Sequence, residues 1–461
     1  MKSWGELDER LDPAFYLNIL LLNKNIVSKT SHSVSTFKQK LSMQRGRFGH
    51  RPRNDPRYYN GKYPFIQTGN VVKASTTNEK IEFTQTLNDL GLSTSRIFNE
   101  KVVVITIAAN IGYTAILDYP ACFPDSLVSL TTKDNTLTLE YLNVYIRFIR
   151  EYIENLAPQA AQKNINLNQL SKLPIIVPDV DTQKLIVSIM EKAYAEKAEK
   201  EKEAQALLDS INSYLLQELG ITMSPEDHST IEDRMFYLRS SQLIGERFDQ
   251  EYYSAYYRKF LKAIEESTLE KLPLSQITQR IFNGSTPSAA EYSEKKTEFP
   301  IIKVSSYYKN RIDLNSVAYI KNAATKHIQQ NDIFILSASH QSNYVGKFLK
   351  FLEDSPQIET GFVGELICVR ANPLINPLLL FHILNLNIYK ELLNRVKRGQ
   401  TAHIYPNDIA KISIPIPDNQ DKIAEKIRSI QNQANALEND AQSSIALANL
   451  QVKEILLGGR L

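Results

Sequence analysis

The most regular hydrophobic pattern of the chain lies near its C-terminus. Apolar or small side chains recur there at alternating spacings of four and three residues, which is the seam of a coiled coil. The seam positions are Ile423, Ile427, Ile430, Ala434, Leu437, Ala441, Ser444, Ala448, Gln451 and Ile455. At 1.5 Å per residue, this pattern predicts a helical rod of roughly 50 Å.

A second long helical pattern runs from about residue 182 to residue 219. Its middle, "EKAEKEKEA", is nearly all charged. The apolar seam positions are Ile186, Ile189, Ala193, Ala204, Leu207, Ile211 and Tyr214. Because neither helix can bury its stripe alone, we expect the two to pair as an antiparallel coiled coil. The alternative is that each helix packs back on its own globular part.

The sequence that precedes each long helix occurs twice. Three pairs of segments match in the same order and at a nearly constant offset, which indicates an internal duplication. They are "ERLDPAFY" (9–16) with "ERFDQEYY" (246–253), "YPFIQTGNV" (63–71) with "FPIIKVSSY" (299–307), and "LNQLSKLPIIVPD" (167–179) with "PNDIAKISIPIPD" (406–418).

Each copy is predicted to be an α+β domain with short strands. Three β-rich runs are followed in both copies by a helical stretch, a polar turn and one more strand. The runs are 101–108, 113–119 and 126–132 in the first copy, and 332–339, 345–352 and 364–371 in the second, with helices over 138–157 and 377–396. The fold class is therefore α+β, with two pseudo-two-fold-related domains, each followed by a long helix.

Composition limits the class of protein. A hydrophobic fraction of 43% and a charged fraction of 23% are ordinary for a globular protein. The two cysteines, Cys122 and Cys368, have no Cys or His at metal-binding spacing, which predicts a reducing compartment and no metal site. The apolar run "YLNILLLN" is too short to cross a membrane. We expect a cytoplasmic protein without a membrane anchor.

The net charge of +3 is uninformative, but its distribution is not. Eight basic residues and one acid, Asp55, lie between Lys38 and Lys62. Gly, Pro and Asn in "QRGRFGHRPRNDPRYYNGK" predict a loop, and arginines interleaved with aromatic residues suit contacts with nucleic acid. A solvated surface loop is the alternative.

The polar turns after the shorter helices differ between the copies, whereas their surroundings match. The first is "PQAAQKNINLNQ" (158–169) and the second "KRGQTAHIYPND" (397–408). Their Gln, Asn, Lys, Arg and His side chains match the donors and acceptors of base edges. Two polar turns that differ within matching surroundings are typical of two domains that recognise different nucleic-acid sequences. Ordinary divergence of surface loops is the alternative.

Taken together, these residues resemble the specificity (S) subunit of type I restriction-modification enzymes. The resemblance covers essentially the whole chain. It rests on the repeated segments above and on "NGSTPSAAEYSEKKTEFPIIKVSS" (283–306), which is similar to the family's G-x-T-P entry to a recognition domain. One departure is that "GHRPRN" (49–54) stands where the second copy has "GSTPSA" (284–289).

The resemblance implies two target recognition domains, each reading half of a split double-stranded DNA site, with the helices setting the gap. It implies methyltransferase subunits, expected to be two, and a nuclease and translocase subunit as partners, with S-adenosylmethionine bound by the methyltransferase and no cofactor in this chain. The limits are 1–179 for the first domain, 180–220 for its helix, 221–245 for a linker, 246–417 for the second domain and 418–461 for its helix. Half-sites on one side of B-DNA lie roughly 34 Å apart, which a rod of roughly 50 Å can span.

Motifs for chemistry are weak. "DPAFY" (12–16) approaches the D-P-P-Y loop of adenine methyltransferases, but its second copy, "DQEYY", lacks the proline. A glycine-rich cofactor loop after a strand and a P-loop are both missing from the sequence. We therefore expect a non-catalytic subunit. The alternatives are a self-sufficient DNA-modifying enzyme with an unrecognised active site and a coiled-coil scaffold.

The candidate DNA-binding residues lie in the basic loop, in the two polar turns and in the segments that resemble the family. In the first copy they are Arg45, Arg47, Arg51, Arg53, Thr68, Asn70, Lys73, Lys163 and Asn164. In the second copy they are Thr286, Lys303, Ser306, Tyr307, Lys309, Arg311, His340, Gln341, Asn343, Arg398, Gln400, Thr401, His403 and Tyr405.

Overall fold

The computed structural model describes most of the chain and divides it into two compact units. The described residues are 13–49, 54–157, 164–223, 247–308, 311–399 and 402–458, with the single residues 235, 237 and 239. Unit 1 consists of residues up to 204 together with 435–461, and unit 2 of residues 205–434. The predicted linker, 221–245, lies mostly outside the described residues.

Unit 1 contains two four-stranded sheets, a two-stranded ribbon and several short helices. The strands are β1 (Ser33–Thr36), β2 (Leu41–Arg45), β3 (Tyr59–Phe65), β4 (Gln85–Leu87), β5 (Ile97–Phe98), β6 (Val102–Thr106), β7 (Thr114–Leu117), β8 (Ala121–Cys122), β9 (Leu127–Thr132) and β10 (Pro174–Val177). The helices are α1 (Pro13–Asn25), α2 (Phe37–Lys40), α3 (Thr68–Thr77), α4 (Asp89–Ser93), α5 (Leu139–Phe148), α6 (Arg150–Glu154), α7 (Leu167–Ser171) and the first part of α8 (Val180–Glu218). The sheet orders are β2-β9-β6-β7, β4-β3-β8-β5 and β1-β10.

Unit 2 repeats this plan with a larger first sheet. Its strands are β11 (Glu270–Pro273), β12 (Thr278–Asn283), β13 (Tyr292–Ser293), β14 (Pro300–Ile302), β15 (Tyr307–Tyr308), β16 (Arg311–Ile312), β17 (Ala318–Ile320), β18 (Ile333–Leu336), β19 (Leu349–Phe351), β20 (Gly361–Phe362), β21 (Leu366–Ala371) and β22 (Ser413–Ile416). Its helices are α9 (Ala255–Glu265), α10 (Pro377–Asn385), α11 (Asn387–Arg395), α12 (Pro406–Ile409) and the first part of α13 (Gln420–Leu456). The sheet orders are β12-β21-β18-β19-β16-β15, β13-β17-β14-β20 and β11-β22.

The central strands contain continuous apolar runs because both faces of the sheet are covered. In β6, Val103 and Ile105 belong to one hydrophobic core, whereas Val102 and Val104 belong to another. Successive side chains of a strand point to opposite faces, so a continuous apolar run fills two cores at once. Strand β18 does the same with Ile333 and Ile335 on one face and Phe334 and Leu336 on the other.

The long helices pair in an antiparallel manner, as predicted. In unit 1, residues 186–193 of α8 share one core with residues 448–456 of α13, and Lys200 Nζ donates to Ser444 Oγ at 3.3 Å. In unit 2, Ile211 shares a core with Ile427 and Ile430, and Asn419 donates to the Glu218 carboxylate at 3.2 Å. Those cores also contain residues of the sheets and short helices. Within each unit, the paired helix segments therefore also pack on the sheets and short helices of that unit.

The predicted seams are wrong in detail at Gln451, Ile189 and Tyr214, the last of which is half-buried beside fully buried Leu215. Gln451 is exposed, and Val452 beside it is fully buried, because the apolar side chain gains from burial where the amide does not. In α8, Met190 is buried while Ile189 is half-buried. The charged middle of α8 lies along this seam: Lys197, with a side chain only 15% exposed, pairs with Glu201 at 2.7 Å.

A buried ion pair fixes strand β21 in unit 2. Arg370 donates from two nitrogens to both carboxylate oxygens of Asp332, each at 2.8 Å, and the Asp332 side chain is 0% exposed. This hydrogen bonding raises the pKa of Arg370 above its ordinary value.

Replacing Asp332 with asparagine is expected to destabilise the protein by about 3 to 5 kcal/mol. The reason is that the guanidinium of Arg370, whose side chain is 17% exposed, loses its counter-charge. Urea unfolding measures the change. The control is Glu266→Gln, which removes the exposed ion pair with Lys262 at 3.6 Å and is expected to change the stability by about 1 kcal/mol or less. Equal stability of the two variants would contradict this role of the buried pair.

Candidate nucleic-acid interface

Each unit has a glycine turn at the end of an equivalent strand. Gly46 follows β2, and its N–H donates to Leu127 O at 2.9 Å. Gly284 follows β12, and its N–H donates to Leu366 O at 3.3 Å. The next residues, Arg47 and Ser285, donate in the same way to Phe123 O and Phe362 O, each at 3.0 Å.

The glycines of these turns are required by close approach of the backbone. A Cβ atom would lie 2.4 Å from Phe123 O at Gly46 and 2.1 Å from Phe362 O at Gly284. The expected equivalence of Gly49 with Gly284 is therefore wrong, because Gly46 is the residue whose hydrogen bonds correspond to those of Gly284. The turns "GRF" and "GST" are then equivalent, and Arg47 stands where Ser285 stands.

A second shared turn follows strands β3 and β14. The backbone N–H of Gln67 donates to Asn70 Oδ1 at 2.8 Å, and that of Lys303 donates to Ser306 Oγ at 3.2 Å. Gln67 and Lys303 thus occupy equivalent, exposed positions. Ser306 is only 1% exposed, so direct contact of its hydroxyl with DNA would require this turn to open.

In unit 1, these turns border a cleft of about 360 Å³. Its floor is aromatic: the Phe48 ring lies 5.1 Å from Phe65 and 5.9 Å from Tyr59, centroid to centroid. Amide and hydroxyl groups form the rim, from Asn54, Gln67, Thr68, Gln85 and Ser126. Gln67 donates to the Gln85 side chain at 2.5 Å, and the hydroxyls of Thr68 and Ser126 lie 3.2 Å apart. Such groups can recognise base edges. Of the three rings beneath them, Phe48 and Phe65 are 2% and 3% exposed, so Tyr59 is the one with an accessible surface for stacking on a base.

In unit 2, charged groups occupy the equivalent positions. Lys303 replaces Gln67, and its Nζ lies 4.9 Å from the centre of the Tyr292 ring. Glu365 replaces Ser126, as shown by the matching bonds of Ile107 N to Ser126 O and of Ser337 N to Glu365 O. Thr286 donates to the Glu365 carboxylate at 3.1 Å and accepts from Gly364 N at 3.1 Å.

The predicted loops of unit 2 meet beside this turn. Ile404 N donates to Ser337 O at 2.9 Å, His403 pairs with Ala338, and Lys397 Nζ donates to Ser342 O at 2.9 Å. The exposed side chains of His340, Gln341 and Asn343 therefore lie on a loop held against the segment of Arg398, His403 and Tyr405. Asn283 donates to Ser337 Oγ at 3.3 Å, which joins these loops to the glycine turn.

Side chains of the second loop also order one another. The rings of His403 and Tyr405 are nearly parallel at 19°, with centroids 6.2 Å apart. The Arg398 guanidinium lies 5.1 Å from the Tyr405 ring and forms an ion pair with Asp408. Hydrogen bonding to that carboxylate raises the pKa of Arg398, so this arginine is held in a defined, charged position.

Unit 1 has the same crossing with different contents. Ile165 N donates to Ile107 O at 3.0 Å and Asn164 pairs with Ala108, so exposed Asn164 stands where half-buried His403 stands. Three residues separate Ala108 from Gly112, but seven separate Ala338 from Gly346. Both glycines have positive φ, at 84° and 73°, and end the loop in the same way. The second unit therefore carries an insertion at this edge, and it contains His340, Gln341 and Asn343.

The remaining predicted residues divide into three groups. In the first group, Arg47 and Arg311 are exposed. The Arg45 side chain donates a hydrogen bond to Asp125 O, and in unit 2 the Asn283 side chain donates to Gly364 O, which is the equivalent carbonyl. In the second group, Lys73 forms an ion pair with Glu82 at 2.7 Å, which raises the pKa of the lysine. The hydroxyl of Tyr307 is buried and lacks a hydrogen-bond partner in the described part of the chain. Arg51, Arg53, Lys163, Lys309, Gln400 and Thr401 lie outside the described residues.

The rim residues Gln67, Gln85 and Ser126, and Glu365 in unit 2, were not predicted from the sequence, whereas Lys303, the counterpart of Gln67, was. Gln85 and Ser126 reach the cleft only through the pairing of β4 with β3 and the turn before β9. Gln67 was within reach, because it stands next to Thr68 in the matched segment "YPFIQTGNV". Over the described ranges, there is neither a cluster of three metal-ligating residues nor a helix apolar and long enough to span a bilayer.

Comparisons with known proteins find one family that matches both copies of the duplication. The family model for the type I restriction modification DNA specificity domain matches twice, over residues 47–208 and 266–447. The S subunit of a type I restriction-modification system from M. genitalium is 14% identical, with 93% of this chain and 96% of that chain covered and a TM-score of 0.40. The HsdS subunit from Thermoanaerobacter tengcongensis is 13% identical, with coverages of 92% and 95% and a TM-score of 0.36.

A third solved structure is described as the structural basis underlying complex assembly and conformational transition of the type I R-M system. It is 13% identical, covers 92% of this chain and 96% of that chain, and has a TM-score of 0.52, a likeness that concerns the fold. The two family matches together span well over half of the sequence, one in each copy. This chain therefore belongs to the type I restriction-modification DNA specificity family, as a specificity subunit with two recognition domains.

Proposed function

We propose that each unit reads one half of a divided, asymmetric double-stranded DNA site through the edge formed by its glycine turn and crossing loops. One observation carries this proposal: the same backbone frame holds Gln67, Thr68 and Ser126 in unit 1 but Lys303, Val304 and Glu365 in unit 2. Amides pair with adenine edges, lysine with guanine and a carboxylate with the amino group of cytosine. Two equal frames with different functional groups suit two different half-sites.

We further propose that this chain is non-catalytic and acts in the cytoplasm together with two methyltransferase subunits and a nuclease and translocase subunit. S-adenosylmethionine would be bound by the methyltransferase. Support comes from the weak "DPAFY" motif and its degenerate copy "DQEYY". The assembly described for the third related structure supports partners of the same system.

Mapping methylated adenines in DNA treated with this chain and its methyltransferase tests the function. The expected motif is split, with two unlike halves and a fixed gap. The chain alone, given S-adenosylmethionine, is expected to transfer no methyl groups, and this is the control. A contiguous motif would contradict the two-reader proposal, and methyl transfer by the chain alone would contradict the non-catalytic role.

A further inference from the structure

Three lysines gather beside the inserted loop of unit 2. Lys347 follows that loop, Lys390 lies on α11, and Lys397 follows the same helix. We call Lys347, Lys390 and Lys397 the lysine cluster. Lys397 Nζ donates to Ser342 O at 2.9 Å, and Lys347 lies 3.7 Å from the carboxylate of Glu391. The Glu391 side chain is 11% exposed, so this acid lies beneath the ammonium groups.

The lysine cluster carries more positive charge than its surroundings balance. Partial burial lowers the pKa of Lys390 and Lys397, and the nearby charge of Lys347 lowers both further. Glu391 offsets one of the three charges. Placing like charges close together is unfavourable unless an anion shares the site, so the arrangement favours an anionic ligand.

The neighbouring surface suits a nucleic acid. Tyr344 and Phe348 are each 41% exposed, and their rings meet edge to face at 4.9 Å. Lys347 is tied to this pair through its N–H, which donates to Tyr344 O at 3.1 Å. Exposed aromatic rings among lysines are typical of nucleic-acid surfaces. An ammonium group is a point charge without the planar fork of arginine, which favours phosphate contact over base reading.

We propose that the lysine cluster is a phosphate-binding surface that holds the DNA backbone beside the base-reading loop of unit 2. This inference rests on the proposed function, since it assumes that the loop of Gln341 and Asn343 faces DNA. The residue after the loop-ending glycine differs between the units: it is Lys347 in unit 2 and Tyr113 in unit 1. The lysine cluster contributes affinity for DNA of any sequence, whereas the turns and loops contribute sequence specificity.

The test uses the full-length chain and two duplexes, one with the mapped site and one without it. Lys347→Gln, Lys390→Gln and Lys397→Gln each remove a charge and keep most of the side-chain length. Each is expected to reduce the slope of log affinity against log salt by about 1, equally on both duplexes. The triple variant is expected to bind both duplexes on the order of 10- to 1000-fold more weakly at low salt. Lys262→Gln, on α9 and paired with Glu266, is the control with an unchanged slope.

Outcomes of this test separate the inference from the function on which it rests. Because Lys397 also supports the loop, unchanged slopes for Lys347→Gln and Lys390→Gln would overturn the inference whatever Lys397→Gln does. Unchanged slopes with weaker capture of the methyltransferase would assign the surface to a protein partner instead. A changed base preference would make these lysines base readers, which also overturns it. If the unmodified protein bound both duplexes equally well, the proposed function would be contradicted. The salt dependence of binding to the duplex without the site would still decide the role of the lysine cluster.

Discussion

Replacing Gly284 with alanine is expected to destabilise unit 2 and to abolish reading of its half-site. The new Cβ would lie 2.1 Å from Phe362 O and 2.5 Å from Val363 O. Real Cβ atoms do not approach an oxygen so closely, and here both oxygens belong to backbone. Phe362 is part of β20, which pairs with β14, so the carbonyl cannot move without disturbing the sheet that supports Lys303.

The same change in unit 1, Gly46→Ala, sets a Cβ atom 2.4 Å from both Phe123 O and Pro124 O. Overpacking of this kind costs about 1 to 3 kcal/mol, or more where backbone must shift. Each variant is expected to impair the half-site of its own unit, because the turn sets the position of the base-reading side chains. Denaturant unfolding and methylation mapping of a complex with each variant measure the two effects.

Gly69→Ala is the matched control for the stability of both variants; because Gly69 lines the cleft of unit 1, it is not a control for reading of the half-site. Its Cβ would meet nothing within 4 Å, and it lies in α3, where alanine is favoured over glycine by about 1 kcal/mol. We expect this variant to be as stable as the unmodified protein or more stable. If all three variants unfolded at the same denaturant concentration as the unmodified protein, the close approach at the two turns would be contradicted.

Periodic features could be predicted from the sequence because they depend on neighbours in the chain. The coiled-coil seam gave two long helices, and the apolar runs gave strands such as β6 and β21, since spacing alone decides which side chains share a face. Where two spacings compete, the pattern fails: Gln451 fits the regular repeat, but Val452 is the residue that is buried. One residue of drift along a helix is decided by packing and not by period.

The candidate site could be predicted only in part, because strand pairing assembles it. Equivalence of Gly46 with Gly284 depends on hydrogen bonds to Leu127 and Leu366, which a comparison of letters cannot see. Gln85 and Ser126 become neighbours of Thr68 through the sheet. Loop composition indicated segments such as "ASHQSNY" and "TAHIYPND", which the structure places side by side next to the glycine turn; whether they contact DNA stays a prediction.

Exchanging the residues at one equivalent position is expected to change one half-site at a time. Gln67 and Lys303 are both exposed and have the same backbone surroundings, so Gln67→Lys and Lys303→Gln each place the other unit's group in an unchanged frame. An amide offers a donor and an acceptor, as adenine requires, whereas an ammonium group only donates, as guanine requires. Gln67→Lys should therefore shift one position of its half-site towards guanine, and Lys303→Gln should shift one position of the other half-site towards adenine.

Each exchange is expected to alter discrimination at that position by about 1 to 3 kcal/mol, or roughly 10- to 100-fold, and to leave the other half-site and the gap unchanged. Selection from duplexes randomised across the mapped motif measures this directly. Lys262→Gln and Gln205→Lys make the same chemical changes on exposed helical surfaces away from both turns, and neither should alter the motif. Two results would contradict the assignment: both half-sites changing together, or both remaining as they were. The first would mean that the units do not read independently, and the second that these turns do not reach the bases.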